Sequence, residues 1–274
     1  LKDLADPFER YLAILGLEAE PPSRRALSRL VRAHLIRVPF ENISKLFLRK
    51  RQGAETIPSL EEYLDGIERF NMGGTCYANN TSFYLLLRQL GYEVKLCGAD
   101  MSQADVHVVI MVRVDGREYL VDVGYAAPFY EPMPRDLEEN LVMAYGGDEW
   151  VLEPQDDSGR SRMLQYRRGL LDHGYLAKPN PRSPDFFSDV IRGSYDGDST
   201  FMNAVGMVRF FDDRLVRIHN LTLIEATRET ARVRELADRD VLVAAIRKFF
   251  GIPGAIVEMA LDGMGEFRDV RGLE

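Results

Sequence analysis

Residues 106–124 read VHVVIMVRVDGREYLVDVG, two β-rich runs joined by Asp115-Gly116, and this stretch decides the fold. Asp-Gly between such runs marks a two-residue hairpin turn, whose central positions need a positive φ that aspartate and glycine tolerate. The short turn fixes the register: Val114 faces Arg117, Arg113 faces Glu118, Met111 faces Leu120, Val109 faces Asp122 and His107 faces Gly124. Val108, Ile110, Val112, Tyr119, Val121 and Val123 then share one face, while Arg113 and Glu118 meet with opposite charge on the other. The same register makes His107 and Asp122 diagonal neighbours, about 7 to 8 Å apart at the backbone, a gap that an imidazole and a carboxylate span. Gly124, opposite His107, has no side chain to obstruct the ring.

Upstream of the hairpin the pattern is helical and punctuated. Asp6, Pro7 and Glu9 supply a cap, a first-turn proline and a capping-box acid to a stretch carrying Phe8, Leu12, Ile14 and Leu15 that stops at Gly16. Pro22 and Ser23 open a second helix with Leu27, Leu30, Val31, His34 and Leu35, ended by Pro39. Ser59 and Glu62 form a capping box before Leu64 and Ile67. Gly73-Gly74 breaks the chain, and an apolar helix follows from about Cys76 to Leu90, with Gly91 as its stop. Downstream, 150–152, 163–167, 206–211 and 215–224 read as strands, with a turn at 212–214. The polar stretch 178–199 reads as a long connection and a seam, and 238–250 as an amphipathic helix closed by Gly251 and Pro253. Helices, then strands, then a mixed tail is an α+β order.

The 274 residues are 46% hydrophobic and 28% charged, which suits a globular chain with a full core and excludes disorder and collagen-like repeats. Forty-three acidic against 35 basic residues give a net charge of -8, a field that repels phosphate backbones, so nucleic acid is not an expected partner. Two cysteines, Cys76 and Cys97, are too few for a disulfide scaffold and lack the spacing of a structural zinc site. His34, His173 and His219 have no acidic or thiol partner at diagnostic spacing, so no metal is expected, and no Walker motif occurs. No apolar run reaches the roughly 18 residues of a membrane span, and residues 1–6 have neither a signal-peptide core nor a basic leader. The expected setting is a reducing cytoplasm, with no membrane partner.

A thiol nucleophile needs an environment that favours the thiolate, a base, and a group that orients the base. Cys76 lies at a helix N-terminus, where unpaired amides and the helix dipole favour an anion. The hairpin supplies His107 as base and Asp122 as orienter, which leaves one ring nitrogen for the thiol. Amides at Cys76 and Tyr77 are a candidate oxyanion hole. Taken singly, each residue has a bland reading: a buried cysteine is usually a small hydrophobe, which is how Cys97 in its strand-like run is read, and a strand histidine beside an aspartate is usually structural. The glycine pair before Cys76, the helix after it and the shared register argue together for a catalytic triad.

On these residues the chain resembles the arylamine N-acetyltransferase family. The matching elements are Tyr11-Leu12 with Gly16-Leu17, His34-Leu35, Pro39-Phe40-Glu41-Asn42, Gly73-Gly74-Thr75-Cys76 with Asn80, the His107 strand, and Tyr119 through Gly124, with weaker matches at Ser199-Thr200-Phe201 and Phe250-Gly251-Ile252. The resemblance implies an α+β fold of three parts: a helical N-terminal domain over 1–91 carrying the nucleophile, a central antiparallel β-barrel over 92–199 carrying His and Asp, and a C-terminal α/β lid over 200–274. The triad would lie between the first two, in a cysteine-protease-like arrangement. It also implies that Cys76 is acetylated by acetyl-CoA in a ping-pong scheme and that an arylamine, hydrazine or arylhydroxylamine accepts the group. Phe40, Val106 and Tyr125 fall at acceptor-pocket positions, and Gln103, Ala104 and Thr200 where the family touches coenzyme A.

Departures qualify the pattern. Met72 and Ala78 stand where the family motif has arginine and glutamate, so a pair of charged positions is apolar on both sides, which costs far less than removing one partner. Glu41 then needs another partner, for which Arg69 and Arg37 are the candidates, and Tyr125-Ala126-Ala127 replaces an aromatic followed by glycine. These changes keep open an amide synthase of secondary metabolism that takes a larger acyl group from a thioester or an acyl carrier protein. A cysteine hydrolase and a non-catalytic binding protein of the same fold are the remaining alternatives.

Overall fold

The computed structural model describes residues 6–268; residues 1–5, read above for a leader, and 269–274 lie outside the described part. The N-terminal segment folds as its caps dictate. In α1 (Pro7–Leu15), Phe8 N donates to the Asp6 carboxylate at 3.0 Å, and Gly16 closes the helix with φ 68°. In α2 (Arg24–Arg37), Ala26 N donates to Ser23 Oγ at 3.2 Å. A two-residue strand β1 (Phe40–Glu41), then α3 (Ile43–Gln52), lead to α4 (Leu60–Phe70), whose capping box between Ser59 and Glu62 is complete on both sides. Next comes α5 (Cys76–Gln89). The turn before it packs tightly, since a Cβ on Gly73 would lie 1.9 Å from the Pro39 carbonyl oxygen, a space that no side chain can share.

The strands β2 (Glu93–Asp100), β3 (His107–Val114), β4 (Arg117–Val121), β5 (Met133–Pro134), β6 (Leu141–Tyr145), β7 (Asp148–Leu152), β8 (Ser161–Arg167) and β9 (Leu170–Pro181) form one antiparallel sheet in the order β5-β4-β3-β2-β9-β8-β7-β6. It is a curled half-barrel and stays open: the ladder ends at β5 and β6 rather than joining them. Val114 pairs with Arg117, Arg113 with Glu118 and Met111 with Leu120, the expected register. Asp115 and Gly116 turn the hairpin at φ 51° and 76°. The ladder ends at Ile110 and Val121, so the chain leaves the sheet as it reaches Asp122.

After a 3-10 turn at Pro184–Phe187 come α6 (Ser188–Gly193), α7 (Thr200–Asn203), and strands β10 (Gly206–Phe210), β11 (Leu215–His219), β12 (Thr222–Ala226) and β13 (Ala231–Glu235). The polar stretch 178–199 is thus not one connection: β9 extends to Pro181, and a short helix follows. The run 215–224 is two strands, broken at Asn220, which has a left-handed φ of 50°. The second sheet has the order β1-β10-β11-β12-β13, so the N-terminal residues Phe40 and Glu41 pair with Val208 and Met207. The chain continues through α8 (Arg239–Phe250) and α9 (Gly254–Leu261).

Two buried cores follow from this layout. The first joins α1, α2, α4 and α5 to the half-barrel through Tyr11, Leu27, Leu64, Phe83, Val109 and Trp150. The second packs α3 against the C-terminal elements through Ile43, Phe47, Ile218, Phe250 and Val257. Among the described residues no helix is long and apolar enough to cross a membrane.

Candidate active site

Cys76 is the first residue of α5, half-buried, and its N-cap Thr75 makes no side-chain cap bond. Its Sγ lies 3.9 Å from the carbonyl oxygen of Val106, the residue that precedes β3. His107 opens β3 with 2% exposure, and its Nε2 donates to Asp122 Oδ2 at 2.8 Å; Asp122 is 1% exposed. The other carboxylate oxygen, Oδ1, accepts from Asn80 Nδ2 at 2.8 Å and from Gly124 N at 3.0 Å. Burial is the largest influence on the His107 ring and pushes its pKa down, but the Asp122 carboxylate and a hydrogen bond with Cys76 reverse this and raise it to about 10. Cys76, His107 and Asp122 are therefore brought together, with the imidazole between sulfur and carboxylate.

The space that Gly124 leaves is used by the backbone of Cys76 rather than by the His107 ring. A Cβ there would lie 2.7 Å from Cys76 Cα and 2.9 Å from Cys76 O, so glycine lets the hairpin end rest on the first turn of α5. Asn80, one turn further along α5, ties the same two elements. Its Nδ2 also donates to Val108 O at 2.7 Å, and its Oδ1 accepts from Val123 N at 2.9 Å. The sequence names Asn80 without giving it a role; an uncharged polar residue inside a strongly apolar helix is the signal that points to it.

Around this group lies an aromatic wall. Tyr125 meets the His107 ring edge-on at 5.5 Å between centroids, and Tyr175 lies 4.9 Å from it. Tyr125 Oη is 2.8 Å from His173 Nδ1, and Tyr125 stacks on Phe129. Tyr175 and His173 come from β9, and no local pattern foretells that β9 would pair with β2 and β8. Phe40 stacks edge-on with Phe201 at 5.8 Å, and its backbone bridges to Gly74, in the glycine turn before Cys76.

The remaining expected positions are on two other segments. Gln103 and Ala104 are exposed in the loop that ends at Val106. That loop is pinned where Tyr77 Oη donates to Asp105 O and where Lys178 Nζ lies 2.6 Å from both Asp100 Oδ1 and Asp105 Oδ1. Thr200 is half-buried at the start of α7. Cys97 is fully buried with its thiol pKa pushed up to about 12 by burial, the behaviour of an inert packing residue.

Neither arginine pairs with Glu41. Arg37 reaches Asn71 Oδ1 and Ile67 O, and Arg69 reaches Asp65, while Glu41, fully buried, accepts from Ser44 N at 2.8 Å and Gly73 N at 3.0 Å. Backbone amides at the start of α3 and at the glycine turn take the place of a cation. Burial still raises the Glu41 pKa against those bonds.

The profile of a family described as N-acetyltransferase matches residues 25–257. The chain belongs to the arylamine N-acetyltransferase family. It is therefore an enzyme by descent. Proansamycin X synthase of Amycolatopsis mediterranei (strain S699) is 31% identical over 180 residues, 62% of this chain and 68% of that protein. Human arylamine N-acetyltransferase 1 is 32% identical over 113 residues, 38% of this chain and 37% of the human protein. The arylamine N-acetyltransferase of Mycobacterium marinum, solved in complex with CoA, superposes with a TM-score of 0.78 at 22% identity, covering 93% of this chain and 98% of that one. The likeness to that arylamine N-acetyltransferase establishes the mixed helix-and-sheet fold over nearly the whole chain.

Proposed function

We propose that the protein transfers an acetyl group from acetyl-CoA to an arylamine, hydrazine or arylhydroxylamine, with Cys76 as nucleophile, His107 as acid and base, and Asp122 as orienter. The observation that carries this reading is the imidazole held at 2.8 Å from a buried carboxylate with the Cys76 thiol as its other partner. In the first half-reaction the Cys76 sulfur attacks the thioester carbonyl carbon, a tetrahedral oxyanion forms, and the bond to the coenzyme sulfur breaks; His107 gives its proton to the departing thiolate. In the second, the amine nitrogen attacks the acetyl-cysteine carbonyl, His107 takes the proton from that nitrogen, and Cys76 leaves as thiolate. Asp122 keeps the ring fixed through both, and Asn80 and Gly124 N keep Asp122 fixed. Phe40, Val106 and Tyr125 would border the acceptor; Gln103, Ala104 and Thr200 would meet coenzyme A. The active cleft would lie where a helical part, 1–91, meets a β part, 92–199, beneath a lid, 200–274. A cytoplasmic setting suits a working thiol, and both cysteines are free.

The test is intact mass after incubation with acetyl-CoA. One added acetyl group on the wild-type protein and none on Cys76→Ala is expected. The absence of any adduct on the wild type, with thioester substrates of several chain lengths, would remove the reading. A second reading, an amide synthase taking a larger acyl group from a thioester or carrier protein, is favoured by the 31% identity to a proansamycin X synthase and by Met72 and Ala78 in the nucleophile turn. Preferential labelling by long acyl thioesters over acetyl-CoA selects it.

A further inference from the structure

Beside the nucleophile turn lies a recess of about 400 Å³, counted with its open mouth, walled by Gly74, Thr75 and Ala78 on one side and by Lys45, Ser194 and Tyr195 on the other. Lys45, on α3, is only 9% exposed. Its Nζ donates to Ser194 Oγ at 2.5 Å and sits over the Tyr195 ring at 4.0 Å. The Ser194 hydroxyl hydrogen goes to Ile191 O at 2.5 Å, so the serine only accepts from the lysine. No carboxylate of a described residue forms an ion pair with Lys45, and Arg49, its neighbour over Tyr195, pairs with Glu55. Ala78, where the family motif has glutamate, brings no acid to the wall. The N-terminus of α5 faces the same recess without a side-chain cap from Thr75.

A buried ammonium is costly to keep without a counter-charge, and a helix N-terminus beside it adds to the positive field rather than relieving it. We propose that this recess is an anion subsite, in which Lys45 and the first turn of α5 receive a carboxylate or phosphate carried by a substrate that reacts at Cys76. The location rests on the reading of Cys76 as nucleophile; the anion affinity does not. Burial lowers the Lys45 pKa to about 8, while the charge of Cys76 opposes that fall, so the ammonium remains the major form at neutral pH.

The experiment titrates the full chain with inorganic phosphate and, separately, with acetate at constant ionic strength, and follows thermal stability. Saturable stabilisation of the wild type is expected, with affinity falling about tenfold to a hundredfold in Lys45→Met and Lys45→Gln, the range for loss of one charge-assisted bond. Stabilisation by phosphate alone assigns the subsite to a phosphate-bearing substrate, and by acetate alone to a carboxylate-bearing one. No saturable effect in the wild type, or equal affinity in a folded Lys45 variant, overturns the proposal. Cys76→Ser is titrated in parallel and should bind at least as tightly as the wild type. Because it cannot be acylated at sulfur, a failure of the nucleophile assignment leaves this readout intact, and a failure of the subsite leaves the mass test intact.

Discussion

His107 and His34 show how differently one side chain behaves in two buried sites. His107 is surrounded by an anionic oxygen and a thiol, and its pKa rises to about 10 despite burial. Its charge should therefore persist through neutral pH, and nitrogen-detected NMR should show the ring as imidazolium at pH 8. In Cys76→Ala one of the partners that raise it is gone, and the titration midpoint should move down. Replacement of His107 by Gln or of Asp122 by Asn should lower the acylation rate about 100-fold or more, measured by the rate of acetyl adduct formation. His34 is fully buried, with Nδ1 2.9 Å from Tyr11 Oη, and burial drives its pKa down to about 3. An unfolded histidine titrates near 6.5, so the unfolded chain binds a proton there that the folded one refuses. Stability from neutral His34 is complete above pH 6.5 and drains away as pH falls from there toward 3. His34→Gln should flatten that acid limb, read from urea midpoints between pH 4 and 8; an unchanged slope would contradict it.

At the level of elements, the site depends on a helix end and a hairpin end meeting face to face. Gly124 permits the contact, since a methyl there would press on the Cys76 backbone at 2.7 Å. Backbone cannot yield as a flexible side chain does, so Gly124→Ala should cost about 1–3 kcal/mol of stability and push the segment after β4 away from the first turn of α5. Acetylation should fall with it, while a control Gly116→Asn at the far turn, φ 76°, should keep the site intact. Both elements were legible in the sequence because their signals are local: the Asp-Gly turn, the alternation along β3 and β4, and the glycine pair before Cys76. The contact that places His107 on Asp122 followed from register alone, even though the ladder ends one residue before Asp122. What was not legible depends on distant pairing. β9 joins β2 and β8, and through that pairing Tyr175 and His173 reach the site. Helix α3 is not legible in the sequence, because its buried Ile43, Leu46 and Phe47 are interspersed with Lys45, Arg49, Lys50 and Arg51, which obscures the apolar stripe.

Across the whole molecule, residues 40–42 and the C-terminal sheet meet beside the glycine turn before Cys76. Phe40 and Glu41 pair with β10, Asn42 Nδ2 donates to Phe201 O and Ala204 O at 2.9 and 2.7 Å, and Glu41 holds the amides of Ser44 and Gly73. The Pro-Phe-Glu-Asn segment is thus a joint between the C-terminal sheet and the turn that presents Cys76. Its footing is the second core, where Ile43 and Met72 pack in the cluster that holds Phe250, Ile252 and Val257. Damage to that core should therefore be felt at a site it does not touch. Phe250 is fully buried, and Phe250→Ala should cost about 3–5 kcal/mol, a fall in melting temperature on the order of 10 °C. The informative measurement is at a temperature where the variant is still folded. There, a loosened joint should slow acetylation of Cys76 several-fold, whereas a comparably costly cavity from Leu27→Ala, in the first core on the end of α2 that meets the hairpin turn at Asp115, should lower stability and leave the Phe40–Glu41 joint undisturbed. Equal loss of acetylation rate in both folded variants would show that the C-terminal elements support the site only through global stability.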